Sequence, residues 1–220
     1  NHDIETGHPV YDRLVETMDV PLLAANAIRT SDGKPYFNEY VTLKRHGLRI
    51  TIIGFTNPNI KSWLSPLLWE GMEFESLLPD FAQKTVDRIK AKEKSDVVVV
   101  AVHAGTGQGN GEVLENQGLD LFKNLEGVDF VVCAHDHRPT VRRGDDICLL
   151  NAGSHCNYLG MGTVTVKVEG GKVVGKDLSV DLLSLDKNKV DKEMRAMFRP
   201  DYEAVKEFTL KEVGRLKTDL

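Results

Sequence analysis

The chain has 220 residues, of which 41% are hydrophobic and 28% are charged, and its formal net charge is −5. This length suits one substantial domain with a small appendage. The acidic balance argues against a surface that binds nucleic-acid polymers, because such surfaces carry a basic excess that neutralises phosphates. A small phosphorylated substrate is not excluded, since a metal ion can neutralise it locally. The longest uncharged apolar run, at 97–102, is too short to span a membrane.

The chain contains three cysteines, and an odd, sparse set of this kind does not indicate a disulfide framework. Cys133 and Cys148 lie in apolar runs, so we expect both thiols to be buried as small hydrophobic groups.

The first third of the chain predicts short strands and an irregular stretch. Residues 21–28, with the sequence PLLAANAI, predict a short strand. Residues 40–57 predict two strands around a tight turn at His46 and Gly47, because apolar residues flank a pair typical of turns. Residues 58–78 contain two prolines and two tryptophans and are predicted to be irregular.

An alternation of helices and strands follows over residues 80–134. A helix is expected to begin near Pro79, because proline suits the first helical turn and the apolar residues that follow recur at helical spacing. Residues 97–102 predict a strand covered on both faces, since all of its residues are apolar. A second helix over roughly 112–125 leads into another buried strand at 128–134. This order predicts a parallel pair of strands in an α/β fold.

The last third predicts consecutive β-strands and then a charged helix. A hairpin turn is expected at Gly170 and Gly171. Residues 188–218 predict a helical stretch with an apolar face. We expect this stretch to break at Pro200, because proline lacks the amide hydrogen that a helix interior uses.

Three histidines lie where predicted strands end. His103 follows VVVVAV, while His135 and His137 follow DFVVCA. The carboxyl ends of parallel strands form the edge at which open α/β sheets bind ligands. In an extended backbone the side chains of residues i and i+2 point the same way, so His135 and His137 are expected to aim at one region. Three imidazoles from two strand ends suit a metal ion such as Zn²⁺.

Plainer explanations exist for these features. A lone histidine at a strand end more often caps the strand or donates a hydrogen bond, and only the combination of His103, His135 and His137 favours metal ligation. His8 and His46 are expected to face solvent. The glycine-rich loop AGTGQGNG after His103 lacks the spacing of a dinucleotide-binding motif. It predicts a mobile surface loop, with a path for substrate toward a metal site as the alternative.

The order of these motifs resembles the calcineurin-like metallophosphoesterases. That family carries Asp-x-His, Gly-Asp, Gly-Asn-His-Asp/Glu, a single His and Gly-His-x-His along the chain. NHD at 1–3, HAG at 103–105 and AHDH at 134–137 resemble the last three in order, with Ala134 in place of the usual glycine. ITIIGFTNP and NAGSHCNYLGMGTVTV further resemble the branch of 5′-nucleotidases and 2′,3′-cyclic-nucleotide 2′-phosphodiesterases. The likeness covers most of residues 1–185.

The resemblance implies an α/β fold, the calcineurin-like four-layer α/β/β/α sandwich with mixed sheets. Because the chain begins inside the Gly-Asn-His-Asp motif, the sandwich is expected to lack its first strands, with the family's first two motifs upstream. Residues 1–187 are expected to form this truncated domain, and residues 188–220 a helical segment or linker toward an absent C-terminal domain. A sheet edge freed by missing strands invites pairing with a second copy of the chain.

The resemblance assigns four residues to a dinuclear metal centre. Asn1, His103 and His135 match ligands of the second metal ion, and His137 matches a ligand of the first. The family's other ligands, including a bridging aspartate, are expected upstream. The two divalent ions are expected to be zinc, manganese, iron or cobalt, because imidazole and amide ligands suit these better than magnesium alone. The sequence does not choose among them.

The resemblance assigns His2 and Glu5 to catalysis. His2 matches the motif histidine that faces the phosphate, where it acts as a general acid or stabilises developing charge. Glu5 resembles the carboxylate that orients this histidine. A poorly tethered chain end is the alternative explanation for Asn1 and His2. His155 lies in a segment that resembles one near the family's active site, although a structural role is favoured for it.

The function implied by the resemblance is metal-dependent hydrolysis of nucleotide phosphoesters by a 5′-nucleotidase or a 2′,3′-cyclic-nucleotide phosphodiesterase. Two alternatives stay open: a non-catalytic metal-binding or scaffold remnant, and a hydrolase of another phosphoester such as a nucleotide sugar. The 220-residue chain is expected to be inactive alone, while its parent protein is an enzyme. The resemblance also implies a periplasmic or cell-surface location. We expect no nucleic-acid polymer as a partner and no membrane span.

Overall fold

A computed structural model describes residues 2–78, 80–109, 114–185 and 189–215. The chain divides into two compact units: unit 1 ends at Ser184, and unit 2 begins at Leu185. None of the helices in these ranges has the length and apolar character needed to cross a bilayer.

Helices and strands are mixed along unit 1, which ends in five consecutive strands, and one long helix lies in the described part of unit 2. In chain order the elements are α1 (His2–Glu5), α2 (His8–Thr17), β1 (Ala27–Arg29), β2 (Tyr40–Arg45), β3 (Leu48–Phe55), α3 (Ile60–Trp63), α4 (Pro66–Trp69), β4 (Met72–Phe74), α5 (Phe81–Glu93), β5 (Val97–Val102), α6 (Gly118–Asn124), β6 (Phe130–Cys133), β7 (Thr140–Arg143), β8 (Cys148–Asn151), β9 (Tyr158–Glu169), β10 (Lys172–Ser184) and α7 (Lys192–Thr209). A 3₁₀ turn at Leu114–Asn116 precedes α6.

A mixed six-stranded sheet, in the order β2-β3-β5-β6-β8-β7, forms the centre of unit 1 as described. β3, β5, β6 and β8 run parallel to one another, while β2 and β7 at the two edges are antiparallel to their neighbours. The predicted parallel pair is confirmed in β5 and β6, and the mixed α/β class with it. All four parallel strands therefore end at the same edge of the sheet.

The sheet is covered on both faces, as the apolar run of β5 predicts. Val100 of β5 is buried in the main apolar cluster with Ile89 of α5 and Leu121 of α6. Val99 belongs to the other side of the pleat, because successive side chains of a strand alternate between faces. It packs against a separate cluster that includes Val180 of β10. Helices thus cover one face, and the β9–β10 hairpin covers the other.

The hairpin turn predicted at Gly170 and Gly171 is confirmed. β9 and β10 pair antiparallel on either side of it. Both glycines have positive φ, 57° and 76°. Two such residues match the twist of the strands that they connect, and glycine adopts this conformation without steric cost.

A second apolar cluster holds the start of the chain. Ile4 of α1 is buried there with Tyr11 of α2, Ile60 of α3 and Met72 of β4. The antiparallel pair β1 and β4 forms a small sheet of its own beside this cluster. His2 and Glu5, the polar residues at the two ends of α1, are exposed.

The predicted strand at 21–28 is misplaced. β1 covers only Ala27–Arg29, and upstream of it Leu23 forms an isolated bridge with Asn38. The irregular stretch expected at 58–78 is wrong in part, because α3, α4 and β4 lie within it. These elements are too short for a periodic pattern to reveal them.

The two predicted helices before β5 and β6 exist with different starts. Pro79 lies outside the described residues, and α5 begins at Phe81. The helix expected over 112–125 is shorter, because α6 begins at Gly118 after a 3₁₀ turn. Residues 112 and 113 lie outside the described residues.

The break predicted at Pro200 is wrong. α7 runs through this proline from Lys192 to Thr209. Proline fixes φ at a value compatible with a helix, although it lacks the N–H that would donate a hydrogen bond and its ring crowds the carbonyl four residues earlier. At the start of the helix, Asp191 accepts hydrogen bonds from two backbone N–H groups and so satisfies donors that the helix itself leaves free.

The predictions for Cys133, Cys148 and His46 are confirmed, and the one for His8 is not. Cys133 and Cys148 are free and buried. His46 is exposed in the turn between β2 and β3. His8, however, is half-buried: its Nδ1 lies 3.1 Å from the hydroxyl of Tyr36, and its Nε2 lies 2.9 Å from the carbonyl oxygen of Glu70. The solvent-facing position expected for His8 is wrong, because the first turn of α2 packs against these groups.

Candidate metal and phosphoester site

His103 lies at the carboxyl end of the central strand β5. Its backbone N–H donates to the carbonyl of Phe55, at 3.0 Å, and this bond fixes it beside the end of β3. The ring atom Nε2 is buried and has no hydrogen-bond partner within the described part of the chain. Burial lowers the pKa of His103 to about 4. The imidazole is therefore neutral near pH 7, which is the form that binds metal ions.

His135 follows the neighbouring strand β6 and lies against His103. The two ring centroids are 5.3 Å apart, with one ring edge facing the other ring. The indole of Trp63 stacks on His135, with centroids 5.3 Å apart and planes inclined by 20°. Glu115 Oε2 lies 3.7 Å from Nε2 of His135. The site thus includes an aromatic surface and a carboxylate beside the two imidazoles.

His137 contacts a different neighbour. Its ring centroid lies 6.2 Å from that of His155, which follows β8. The extended backbone expected for 135–137 is wrong, since His135 and His137 have φ values of 74° and 56°. The rule that residues i and i+2 point the same way therefore does not apply, and the two imidazoles contact different partners.

His2 and Glu5 lie together on α1. Nδ1 of His2 is 2.8 Å from Oε1 of Glu5. The ring of His2 is 6.4 Å from that of His103, edge toward face. The structure thus brings three of the predicted residues together, since the ring of His103 lies next to those of both His2 and His135. Asn1, the fourth predicted residue of this region, lies outside the described residues.

The glycine-rich loop after β5 is closely packed where it begins. Gly105 is buried, and a Cβ added there would lie 2.8 Å from Cβ of Asp136 and far inside contact distance of Asn116 Oδ1. Gly107 would collide with the backbone carbonyl of Asn116. The mobile surface loop expected from the sequence is therefore wrong for these residues, and glycine is required by the close approach of the chain. Residues 110–113 lie outside the described residues.

Asp136 connects the loops of this site. Its Oδ2 accepts from the backbone N–H of Thr106 at 2.8 Å, and its Oδ1 accepts from Nδ2 of Asn151 at 2.8 Å. Asn151 also donates to the hydroxyl of Thr106, at 3.2 Å. The loops after β5, β6 and β8 are thereby held to one another.

Sequence reasoning missed four residues of the site: Trp63, Glu115, Asp136 and Asn151. The signal for Asp136 was its position between two candidate ligands, and that for Asn151 was its place at the end of a predicted strand. Trp63 and Glu115 lie on one-turn helical segments, where no periodic pattern indicates which side chain faces the site.

Residues 1–139 match the family of calcineurin-like phosphoesterases. The chain belongs to this family. The resemblance seen in the order of the motifs is thus confirmed. The fold agrees with that of the calcineurin-like phosphoesterase YfkN from Bacillus subtilis, with a TM-score of 0.77 and 20% identity over 96% of this chain and 70% of that one.

Two relatives of this phosphoesterase chain have names that state an activity. The 5′-nucleotidase of Vibrio cholerae is 28% identical over 184 residues, covering 80% of this chain and 33% of that protein. The 2′,3′-cyclic-nucleotide 2′-phosphodiesterase/3′-nucleotidase of Haemophilus influenzae is 24% identical over an aligned length of 246 residues, covering 98% of this chain and 37% of that protein. The chain spans about a third of the length of these relatives.

The residues of this phosphoesterase chain fit part of a metal site. The family uses divalent metal ions. His103 fits a ligand, because its buried Nε2 has no partner in the described ranges and imidazole binds metals of the zinc type. Yet among residues 2–78, 80–109, 114–185 and 189–215, no three His, Cys, Asp or Glu side chains form a group that could hold a metal ion.

Proposed function

We propose that this chain carries metal-binding histidines of a phosphoester hydrolase whose substrates are nucleotides of the 5′ or the 2′,3′-cyclic class. The observation that carries the proposal is the pair His103 and His135. Their rings lie 5.3 Å apart after adjacent parallel strands, and the buried Nε2 of His103 lacks a partner in the described ranges. The names of the relatives support a nucleotide as the substrate.

Two divalent metal ions are part of the proposal. His103 and His135, together with Asn1, are proposed to hold one ion, and His137 is proposed to contribute to the other. When bound, such ions act as Lewis acids toward phosphoryl oxygens and lower the pKa of a coordinated water. The low pKa of His103, about 4, supports this role, because no proton competes for its ring near pH 7.

His2 is proposed to face the transferring phosphoryl group. Glu5 Oε1, 2.8 Å from Nδ1 of His2, holds a proton on that nitrogen and fixes the orientation of the ring. When the ring is protonated, its Nε2–H can stabilise charge on the phosphate oxygens or protonate the leaving alkoxide. The exposed position of His2 leaves room for a substrate on this side of the ring.

The isolated 220-residue chain is proposed to bind metal weakly and to turn over little substrate. The support is the donor set: the described residues bring His103 and His135 together but offer no group of three ligands. The remaining ligands of a full dinuclear centre are part of the proposal and are not among the described residues.

The experiment compares metal content and turnover in this chain and in the proposed parent protein. Substrates are a 5′-nucleotide, a 2′,3′-cyclic nucleotide and a nucleotide sugar, each with Zn²⁺, Mn²⁺, Co²⁺ or Fe²⁺ added. His103→Ala in the parent should lower turnover by at least the ~10–100-fold seen when a residue that merely supports a ligand is lost. His46→Ala is the matched control, because this imidazole is exposed in the turn before β3, and it should leave turnover unchanged.

Each outcome decides between the readings. The proposal is supported if the parent turns over nucleotides only with metal, and if this turnover is lost in His103→Ala but kept in His46→Ala. Metal binding without turnover of any phosphoester favours the scaffold remnant. Turnover of the nucleotide sugar alone favours a hydrolase of another substrate. The absence of metal binding in both proteins would overturn the metal-dependent mechanism.

A periplasmic or cell-surface location and a dimer are further parts of the proposal. The dimer would pair at an edge strand of the main sheet, β2 or β7. Cell fractionation tests the location, and sedimentation equilibrium tests the dimer.

A further inference from the structure

Asp136 joins the loops that follow three neighbouring parallel strands. It lies after β6, and its Oδ2 accepts from the backbone N–H of Thr106, in the loop after β5, at 2.8 Å. Its Oδ1 accepts from Nδ2 of Asn151, at the end of β8, at 2.8 Å. The same oxygen accepts from the backbone N–H of Arg138 at 3.2 Å. Both carboxylate oxygens are thus engaged.

Asn151 completes this connection, and the pair is called the Asp136–Asn151 clamp below. The side chain of Asn151 is fully buried. Its Nδ2 donates to the hydroxyl of Thr106 at 3.2 Å as well as to Asp136, and its Oδ1 accepts from the backbone N–H of Gly153 at 3.0 Å. Asp136 itself is half-buried. A polar network that is shielded from water and in which every member is satisfied favours one arrangement of the loops that it joins.

Each joined loop carries candidate histidines. His103 lies on the loop after β5, His135 and His137 flank Asp136, and His155 lies on the loop after β8. His135, His137 and His155 all have positive φ. Residues other than glycine rarely adopt this conformation unless the surroundings hold them there. The clamp supplies such surroundings for residues 135–137, because Thr106 and Asn151 donate hydrogen bonds to Asp136 from other loops.

The geometry points to Asp136 as a positioning residue: through the clamp it sets the separation of the imidazoles of His103 and His135, without itself contacting substrate. The inference rests on the proposed function, because it assigns the clamp to the metal-binding histidines of that site. The inference adds Asp136 to that function as a residue that holds the loops in place and makes no contact of its own with the ring nitrogens of the histidines.

Two isosteric changes and their combination test the clamp. In Asp136→Asn, one carboxylate oxygen becomes an NH₂ group that faces either the N–H of Thr106 or the NH₂ of Asn151. In Asn151→Asp, two carboxylates face each other. The double variant Asp136→Asn/Asn151→Asp exchanges the two groups and restores a donor opposite an acceptor. Thr106 can still donate to position 136, and only the weaker bond from the N–H of Arg138, at 3.2 Å, stays lost.

Asp129→Asn is the matched control. Asp129 is a buried carboxylate before β6, and it accepts from the backbone N–H of Val98 at 2.7 Å. It also accepts from Lys176 Nζ at 2.7 and 3.0 Å. It therefore ties strands together at their amino ends, opposite the candidate site. A loss of stability alone should appear in this variant as well, without an effect on the imidazoles.

Three measurements are made on the 220-residue chain and its variants. The first is the nuclear Overhauser contact between ring protons of His103 and His135, in the absence of metal. The second is the affinity for Co²⁺ alone, by spectroscopic titration. The third is stability in urea. We expect Asp136→Asn to lose the ring contact and to bind Co²⁺ about 10–100-fold more weakly, the double variant to regain both, and Asp129→Asn to keep both.

The outcomes separate this inference from the proposed function. If Asp136→Asn keeps the ring contact and the Co²⁺ affinity while losing stability, the clamp is merely structural and the inference is overturned. If the unaltered chain binds no Co²⁺, its incomplete donor set does not hold an ion alone, as the proposed function allows, and the ring contact decides whether Asp136 positions the imidazoles. If Asp136→Asn does not fold, the double variant decides: a folded protein without the ring contact contradicts the inference.

Discussion

Replacing Gly105 by alanine tests how closely the loop after β5 packs on its neighbours. The added Cβ would lie 2.8 Å from Cβ of Asp136 and far inside contact distance of Asn116 Oδ1. Real Cβ atoms do not approach other atoms this closely, so the loop must move away from Asp136 or from Asn116. Because Gly105 is buried, the methyl group cannot turn into solvent.

The expected cost follows from overpacking. Forcing an extra methyl group into a closely packed region costs about 1–3 kcal/mol of unfolding free energy. At about 2–4 °C per kcal/mol for a domain of this size, the Tm should fall by about 2–12 °C. Since Asp136 is one of the neighbours that must give way, the ring contact between His103 and His135 should weaken as well.

Thermal unfolding followed by circular dichroism measures this cost, with Gly175→Ala as the control. Gly175 lies in β10, where an added Cβ would meet only Cβ of Lys167 at 3.8 Å, an ordinary contact. Its substitution should change stability by no more than about 0.5 kcal/mol. If Gly105→Ala is as stable as Gly175→Ala, the reasoning about close packing of this loop is refuted.

Three further predictions concern His103, Trp63 and Pro200. Burial lowers the pKa of His103 from 6.5 to about 4. Between these pH values the unfolded chain binds a proton at this ring that the folded chain does not bind. The free energy of unfolding should therefore fall as the pH drops from about 6.5 toward 4. Urea unfolding should show a smaller acid loss in His103→Gln, and equal losses would contradict a neutral, buried ring. Trp63→Ala removes the stacked indole that shields His135, so the ring-proton resonances of His135 should move downfield in NMR spectra; unchanged resonances would argue against the stack. Pro200→Ala restores one backbone donor within α7 and removes a residue that disfavours helix by about 3 kcal/mol. A peptide of residues 189–215 should then gain ellipticity at 222 nm, and no gain would mean that this proline does not limit the helix.

The main sheet of unit 1 is predictable because its signals are local. An apolar run such as 97–102 has enough neighbouring residues of one kind to indicate a strand covered on both faces. The turns at 46–47 and 170–171 are marked by the residues that form them. Once the strands are located, their carboxyl ends are known as well, and these ends predict the edge of the sheet where His103 and His135 lie.

The arrangement of the histidines was not predictable in the same way. The left-handed backbone of His135 and His137 is accompanied by hydrogen bonds from Thr106 and Asn151, which are distant in sequence. Local propensity favours an extended segment there, and tertiary hydrogen bonds outweigh it. The stack of Trp63 on His135 likewise depends on how α3 packs, which no spacing in residues 58–78 reveals.

The β9–β10 hairpin bears on the order in which unit 1 folds. Its strands are joined by two glycines, so their pairing requires almost no loop closure, and hairpins of this kind form in about 1–10 μs. The parallel pair β3 and β5 must instead bring Ile50 beside Val97 across the whole of α5, and such non-local pairing is slow because chain entropy is lost before contacts form. An isolated two-stranded hairpin is only marginally stable in water. We therefore expect it to sample its native register repeatedly, and to become stable once β6 and β8 present Phe130 and Leu150, which pack in one cluster with Val180 of the hairpin.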